Sequence, residues 1–403
     1  MTDTTVQRPT ISPIERFSNA TGLDTRMMAM VLALIVIWLI FSFLTDGIFL
    51  TARNLYNLAV QSSVVGIIAT GMVLVIVARH IDLSVGSLLG FTGMLIAYWQ
   101  VEVEIHWLVA LLLGLVVGGL VGVWQGYWIA YQKVPAFVVT LGGLLMFRGG
   151  AFLVTDGKTV APLDETFQLL GGGVDGSIGA TASWVLGLIA VAAVIAMTFR
   201  ARARSMRYGF PVRSIGIEIA LVIVWAALIL GFVQIMNSYY KPRTEIPRGI
   251  PIPVLIMIGV VIVMTFIACM TKFGRYVFAM GGNPEAAELS GINVRRTTMM
   301  IFVIIGILCA IAGVVTSARL NAGANSMGTL AELNVIAATV IGGTSLAGGV
   351  GTVPGAILGA VIIQSLENGM VLLGVSSAMR QVIIGLVLIM AVFFDVAYNR
   401  QRR

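Results

Sequence analysis

Apolar runs of about twenty residues, separated by short polar stretches, fill the chain between positions 27 and 395. The first, Met27 to Leu44, is an uninterrupted run of 18. It is too long for a secretory-signal core and no small-residue cleavage site follows it, so it is predicted to remain as the first membrane span. Further runs fall at 58–78, 84–100, 107–131, 136–154, 184–199, 215–236, 251–270, 297–318, 333–349, 354–373 and 379–395. The pattern predicts an all-α, polytopic integral membrane protein of about twelve spans. Several runs are short and carry Gly or Pro, and these are expected to be broken or tilted helices. Residues 1–26 are polar, contain Arg8, Arg16 and Arg26, and read as a tail, as do 396–403.

Two interruptions stand out. The stretch Arg79-His80-Ile81-Asp82-Leu83-Ser84 places charge between two apolar runs, with Asp82 or Ser84 able to cap the second. From Ile341 to Gly355 the glycines are too many for a continuous helix. Unpaired backbone in hydrocarbon costs several kcal/mol per group, so both turns must be buried in protein, line water or reach an interface. Elsewhere glycine recurs every fourth residue at Gly114, Gly118, Gly122 and Gly126, with shorter echoes at Gly86/Gly90 and Gly355/Gly359. Such faces let helix backbones approach closely, and packing within one subunit is the expected use.

Composition sharpens the class. The chain of 403 residues is 58% hydrophobic and 11% charged, with a mean hydropathy of +0.99, whereas a soluble domain is about 25% charged. Its +7 formal charge follows from Lys and Arg in cytoplasmic loops and requires no nucleic acid. With the N-terminus inside, roughly 17 basic residues fall on the cytoplasmic side and roughly 8 outside. The cluster Arg200, Arg202, Arg204, Arg207 and Arg213 fixes that register, and both termini are expected to be cytoplasmic.

Little enzymatic chemistry is present. Gly157-Lys158-Thr159 mimics the tail of a phosphate-binding loop, but Phe152 stands where its first Gly belongs. His80 and His106 are isolated, and Cys269 and Cys309 lack metal-like spacing, so neither metal nor cofactor is expected. Polar residues within spans are mostly neutral, among them Gln61, Ser62, Gln125, Gln364 and Asn368; Glu218 and Glu367 are the acidic exceptions. With Trp124 close by, Gln61, Ser62, Gln125, Gln364, Glu367 and Asn368 form a candidate path for a neutral, hydroxylated solute. A proton-coupled carrier would need a fuller titratable relay.

Lys272 to Arg296 is the most informative loop. Asn283 can cap a helix, Pro284 suits its first position, Glu285 and Glu288 complement its positive end, and Gly291 offers a left-handed stop. A helix of about seven residues is unstable alone and must lie against something. Two readings fit: a surface helix resting on its own protein or on lipid, or a knob with Ala286 and Leu289 on one face for a groove in a soluble partner.

The spelling Glu285-Ala286-Ala287, with Gly291 four residues after Ala287, resembles the EAA-x-x-x-G loop of ABC importer permeases. The resemblance extends to the monosaccharide importers of the ribose, xylose and arabinose group. It is carried by Ile81-Asp82-Leu83-Ser84-Val85-Gly86-Ser87, Lys133 to Gly142, Phe147-Arg148-Gly149, Gly281 to Val294, Gly342 to Gly349 and Glu367-Asn368-Gly369. The forms around Trp124 to Trp128 and Thr45-Asp46-Gly47 are most similar to the xylose-transporting branch. One departure is the missing Leu-Pro of the general loop consensus, where Ile301 is present without Pro.

The resemblance implies a ten-helix core with an inserted pair at 184–236. It implies a homodimer of permeases in the bacterial inner membrane, a separate cytoplasmic ATPase and a periplasmic sugar-binding protein. The loop around 272–296 would be the coupling surface, and no enzymatic activity would reside in this chain. The competing classes are an ion-coupled secondary transporter and a membrane-embedded scaffold.

Overall fold

The computed structural model describes residues 25–210 and 212–400; the predicted N-terminal tail lies almost wholly outside them. Nine helices are long and apolar enough to cross a membrane among the described residues. They are α1 (Thr25–Leu44), α2 (Ala52–Val77), α4 (Trp107–Ala130), α5 (Ala136–Thr155), α6 (Gly179–Arg207), α7 (Ile215–Asn237), α8 (Ile252–Met270), α11 (Val294–Leu320) and α13 (Val353–Leu372). Three further apolar helices complete the set: α3 (Val85–Val101), α12 (Ala331–Ile341) and α14 (Ser377–Arg400), whose apolar part ends at Phe393. Between α8 and α11 lie α9 (Lys272–Gly282) and the small α10 (Pro284–Leu289).

All twelve predicted runs therefore contain a helix, with several ends adjusted: α2 starts six residues earlier than its run, and α6 extends beyond its run at both ends. The run at 333–349 is helical only to Ile341, because the glycines that follow break it. In α14 the helix passes position 395 and continues to Arg400.

Burial separates core from periphery. α2, α11 and α13 are largely buried, and α2 and α11 are so although their sequences are as apolar as those of exposed α1, α6 and α7. Hydropathy alone cannot make that distinction, since lipid and protein interior are equally apolar. The four-residue glycine face of α4 supplies an extended close seam. A Cβ at Gly118 or Gly122 would overlap the carbonyl oxygens of Gly306 or Phe302 on α11, and one at Gly126 would sit 2.8 Å from the Met299 Cα. Gly114 meets Ile96 of α3. The face is used within the subunit.

Successive helices alternate in direction, which sorts the connections to two ends. At one end Val160 pairs with Gly323, Ser177 with Pro251, and Tyr240 with Pro247. At the other, the turn after α2, the α9–α10 corner and residues 342–352 meet: Gly349 N donates to Val77 O at 2.9 Å. Arg26, near the start of α1, donates to Gly343 O at this same end, and α14 runs back toward it.

α6 and α7 form a peripheral hairpin, packed mainly on each other. Arg202 crosses it to Glu218 at 2.9 Å. Glu218, one of the two acidic exceptions within the spans, thus has a partner that its own helix could not provide.

Candidate functional site

A break that the sequence did not single out, residues 321–330, packs against the helix that follows the first predicted interruption. After α11, the chain turns back through Asn321, pairs with the loop at Val160, and descends in non-helical form alongside α3. Met327 and Gly328 lie so close to Gly90 and Gly86 that a Cβ on either α3 glycine would overlap their carbonyl oxygens. Only then does α12 begin, and its 11 residues span about 16 Å, half of a hydrocarbon core. The exposed carbonyls of the descending strand need donors inside the membrane. Arg148 of α5 supplies them, donating through Nη1 to Asn325 O at 3.0 Å and Met327 O at 2.9 Å. Arg148 appears in the sequence only as part of a family-like motif. An arginine inside an apolar span was the signal that it had a fixed partner.

The first interruption, residues 78–84, is clasped from several sides. Asp82 Oδ1 accepts from Ser84 N at 2.8 Å and Ser84 Oγ at 2.7 Å. Gln125 Nε2 donates to Ser84 Oγ at 2.7 Å. Thr140 Oγ1 donates to Ile81 O at 3.3 Å. Ser84 occupies the N-cap position of α3, but its side chain serves this network and caps no helical N–H. Asp82 orders the turn in front of the helix.

A cavity of about 310 Å³ lies between α2, α11 and α13, at the low end of the range for small-molecule sites. Gln61, Thr316, Arg319, Gln364, Glu367 and Asn368 give it a polar lining. Its polar groups are held in place: Glu367 Oε2 accepts from Gln364 Nε2 at 3.1 Å and Asn334 Nδ2 at 3.3 Å, while Asn54 Nδ2 donates to Asn368 Oδ1 at 2.8 Å. Four of the predicted path residues, Gln61, Gln364, Glu367 and Asn368, thus come together across two helices that are far apart in sequence.

The other three stand elsewhere. Ser62 is buried beside the cavity-lining Gln61 without lining the cavity itself. Gln125 belongs to the Ser84 clasp. Trp124 is 38% exposed and packs edge-on against Phe147. Thr316 and Arg319 are cavity residues that the sequence did not single out, because Thr is common in spans and Arg319 sits near a span end.

At the opposite end from this cavity, α10 is built as its residues predict. Asn283 Oδ1 accepts from Ala286 N at 3.0 Å, Pro284 opens the helix, and Gly291 has φ +84°. Ala287 is buried against the core, whereas Ala286 is exposed and Leu289 is 90% exposed. The helix rests on its own protein by one side and presents a leucine outward by the other. Arg79 secures its base, donating to Gly281 O at 2.7 Å and Gly282 O at 2.6 Å.

A helical bundle with a half-membrane segment, a cleft between helices that is lined in part by polar side chains and an outward-facing short helix at one end defines a polytopic membrane permease. The chain belongs to the family described as branched-chain amino acid transport system / permease component, matched over residues 54–392. It is 40% identical over 385 residues to the xylose transport system permease protein of Escherichia coli K12, covering 96% of this chain and 95% of that protein. It is 33% identical to the ribose import permease protein of the same organism, covering 96% and 98%. Against a probable ABC transporter permease protein, also from Escherichia coli K12, identity is 32% with 93% and 90% covered. No solved structure matches the chain.

Proposed function

We propose that this chain is the membrane-spanning subunit of an ATP-driven, binding-protein-dependent importer in the bacterial inner membrane, and that its sugar is D-xylose. The observation that carries the substrate is the 40% identity to a xylose permease along nearly the whole of both chains, against 33% to a ribose permease. The polar cavity supports a route for a hydroxylated solute. Gln61, Gln364 and Asn368 offer both donors and acceptors, and Glu367 adds a strong acceptor.

The subunit hydrolyses no ATP itself. Two copies pair, and a cytoplasmic ATPase seats on Leu289 and Ala286 of each. The α10 end is cytoplasmic, the cavity lies in the outer half, and a periplasmic binding protein delivers sugar on that side. Residues 156–178 and 238–251 form the surface there.

Uptake by vesicles holding the permease, its ATPase and its binding protein tests the reading, using labelled xylose, ribose and arabinose. ATP-dependent xylose uptake with the proton gradient collapsed is expected. Uptake that needs the gradient but not ATP would overturn the importer, and a preference for ribose would overturn the sugar.

A further inference from the structure

The hairpin of α6 and α7 takes no part in the cavity, the broken helices or the α10 surface. Its arginines are nevertheless ordered. α6 has 29 residues, about 43 Å of helix, so it is longer than a hydrocarbon core of about 30 Å by roughly two and a half turns, and its last turns carry the arginines.

Arg200, Arg204 and Arg207 are spaced i, i+4, i+7 and form one stripe along this overhang. Arg202 falls on another face, where it meets Glu218 at 2.9 Å and Arg213 O at 2.9 Å. The one acid of the hairpin thus neutralises the inward arginine. The three outward arginines are exposed and have no partner among the described residues.

The stripe continues a lipid-facing one. Ile189 lies on the same side of α6 and is 59% exposed, while Gly187 on the opposite side is buried. Phe199, Tyr208 and Phe210 are exposed at the same level, where aromatic rings settle among headgroups.

We infer that the Arg200/Arg204/Arg207 stripe is a binding surface for anionic phospholipid headgroups of the cytoplasmic leaflet. Charge complementarity selects the occupant: three forked, unpaired donors stand just beyond apolar side chains that reach acyl tails, which suits a phosphodiester attached to hydrocarbon. A general excess of basic residues inside would set orientation without demanding that they share one outward face. The leaflet rests on the orientation proposed above; the lipid class does not.

The test uses full-length permease, alone and with its ATPase, titrated with phosphatidylglycerol and with phosphatidylcholine and read by native mass spectrometry. The parent should prefer phosphatidylglycerol, and raising the salt should weaken that preference. R200Q/R204Q/R207Q should weaken phosphatidylglycerol binding about fivefold per arginine without changing phosphatidylcholine binding. Removing charge at the opposite end, with K158Q/R243Q, should leave both unchanged. The stripe is exposed, so the triple variant should keep the parent's thermal transition.

Unchanged phosphatidylglycerol binding in the triple variant would overturn the proposal. Loss of ATPase co-purification with lipid binding intact would show a protein interface instead, and would equally overturn it. A Gly209→Cys permease carrying no other cysteine should react with an impermeant maleimide only in inverted vesicles. Labelling in right-side-out vesicles would overturn the orientation, and with it the leaflet, while the titration reports on the lipid class separately.

Discussion

At the scale of single residues, the chain separates side chains that hold the fold from those left exposed. Leu289 is 90% exposed, so Leu289→Glu should leave insertion and thermal stability as in the parent. If the ATPase seats there, uptake and ATPase co-purification should fall at least tenfold, because an unpaired carboxylate enters a dry contact. Glu285→Ala removes only a helix-end charge, worth roughly 0.3–1 kcal/mol, and should be far milder. Arg148 is the opposite case. Arg148→Met strips the donor from two partly buried carbonyls, each of which would otherwise cost up to about 1–3 kcal/mol unpaired, and should lower the melting temperature in detergent before any question of transport arises. The α10 residues were legible in the sequence because capping chemistry is local. The pairing of Gln61 with Gln364 across a cavity was not, since it depends on which faces of α2 and α13 meet.

At the scale of elements, glycine spacing carried more information than hydropathy. Gly118 and Gly119 are neighbours with opposite surroundings. A Cβ at Gly118 overlaps the Gly306 carbonyl and comes within 2.9 Å of Ala310 Cβ, whereas at Gly119 it meets Ile307 at an ordinary 3.5 Å. Gly118→Leu should therefore force α4 from α11 and destabilise the subunit by at least 1–3 kcal/mol, while Gly119→Ala should be neutral. Equal thermal transitions for the two would refute the seam. The spacing reveals that a close approach occurs but not which helix approaches, so α11 as the partner had to come from the structure. The half-length α12 was hidden for a related reason. An apolar run continuing into glycines reads as a span, and its true length depends on where backbone geometry breaks.

At the scale of the whole molecule, alternation of direction places the described start of α1, the α6–α7 turn, α10 and the end of α14 at one end. If that end is cytoplasmic, a reporter fused after Arg403 should show no alkaline phosphatase activity. Arginine distribution made this arrangement readable in advance, because it is a property of loops rather than of packing. What loops could not reveal is how the two ends communicate. Arg79 grips the last carbonyls of α9, and Gly349 N bonds to Val77 O beside it. α10 therefore shares a footing with α2 and with the segment joining α12 to α13, and α2 and α13 line the cavity. If the ATPase seats on α10, such a joint would act as a clutch. With Arg79→Gln the ATPase should still bind and turn over, but fewer sugars should cross per nucleotide hydrolysed, so the variant would idle. A sugar-to-ATP ratio equal to the parent's would show that force reaches the cavity by another route.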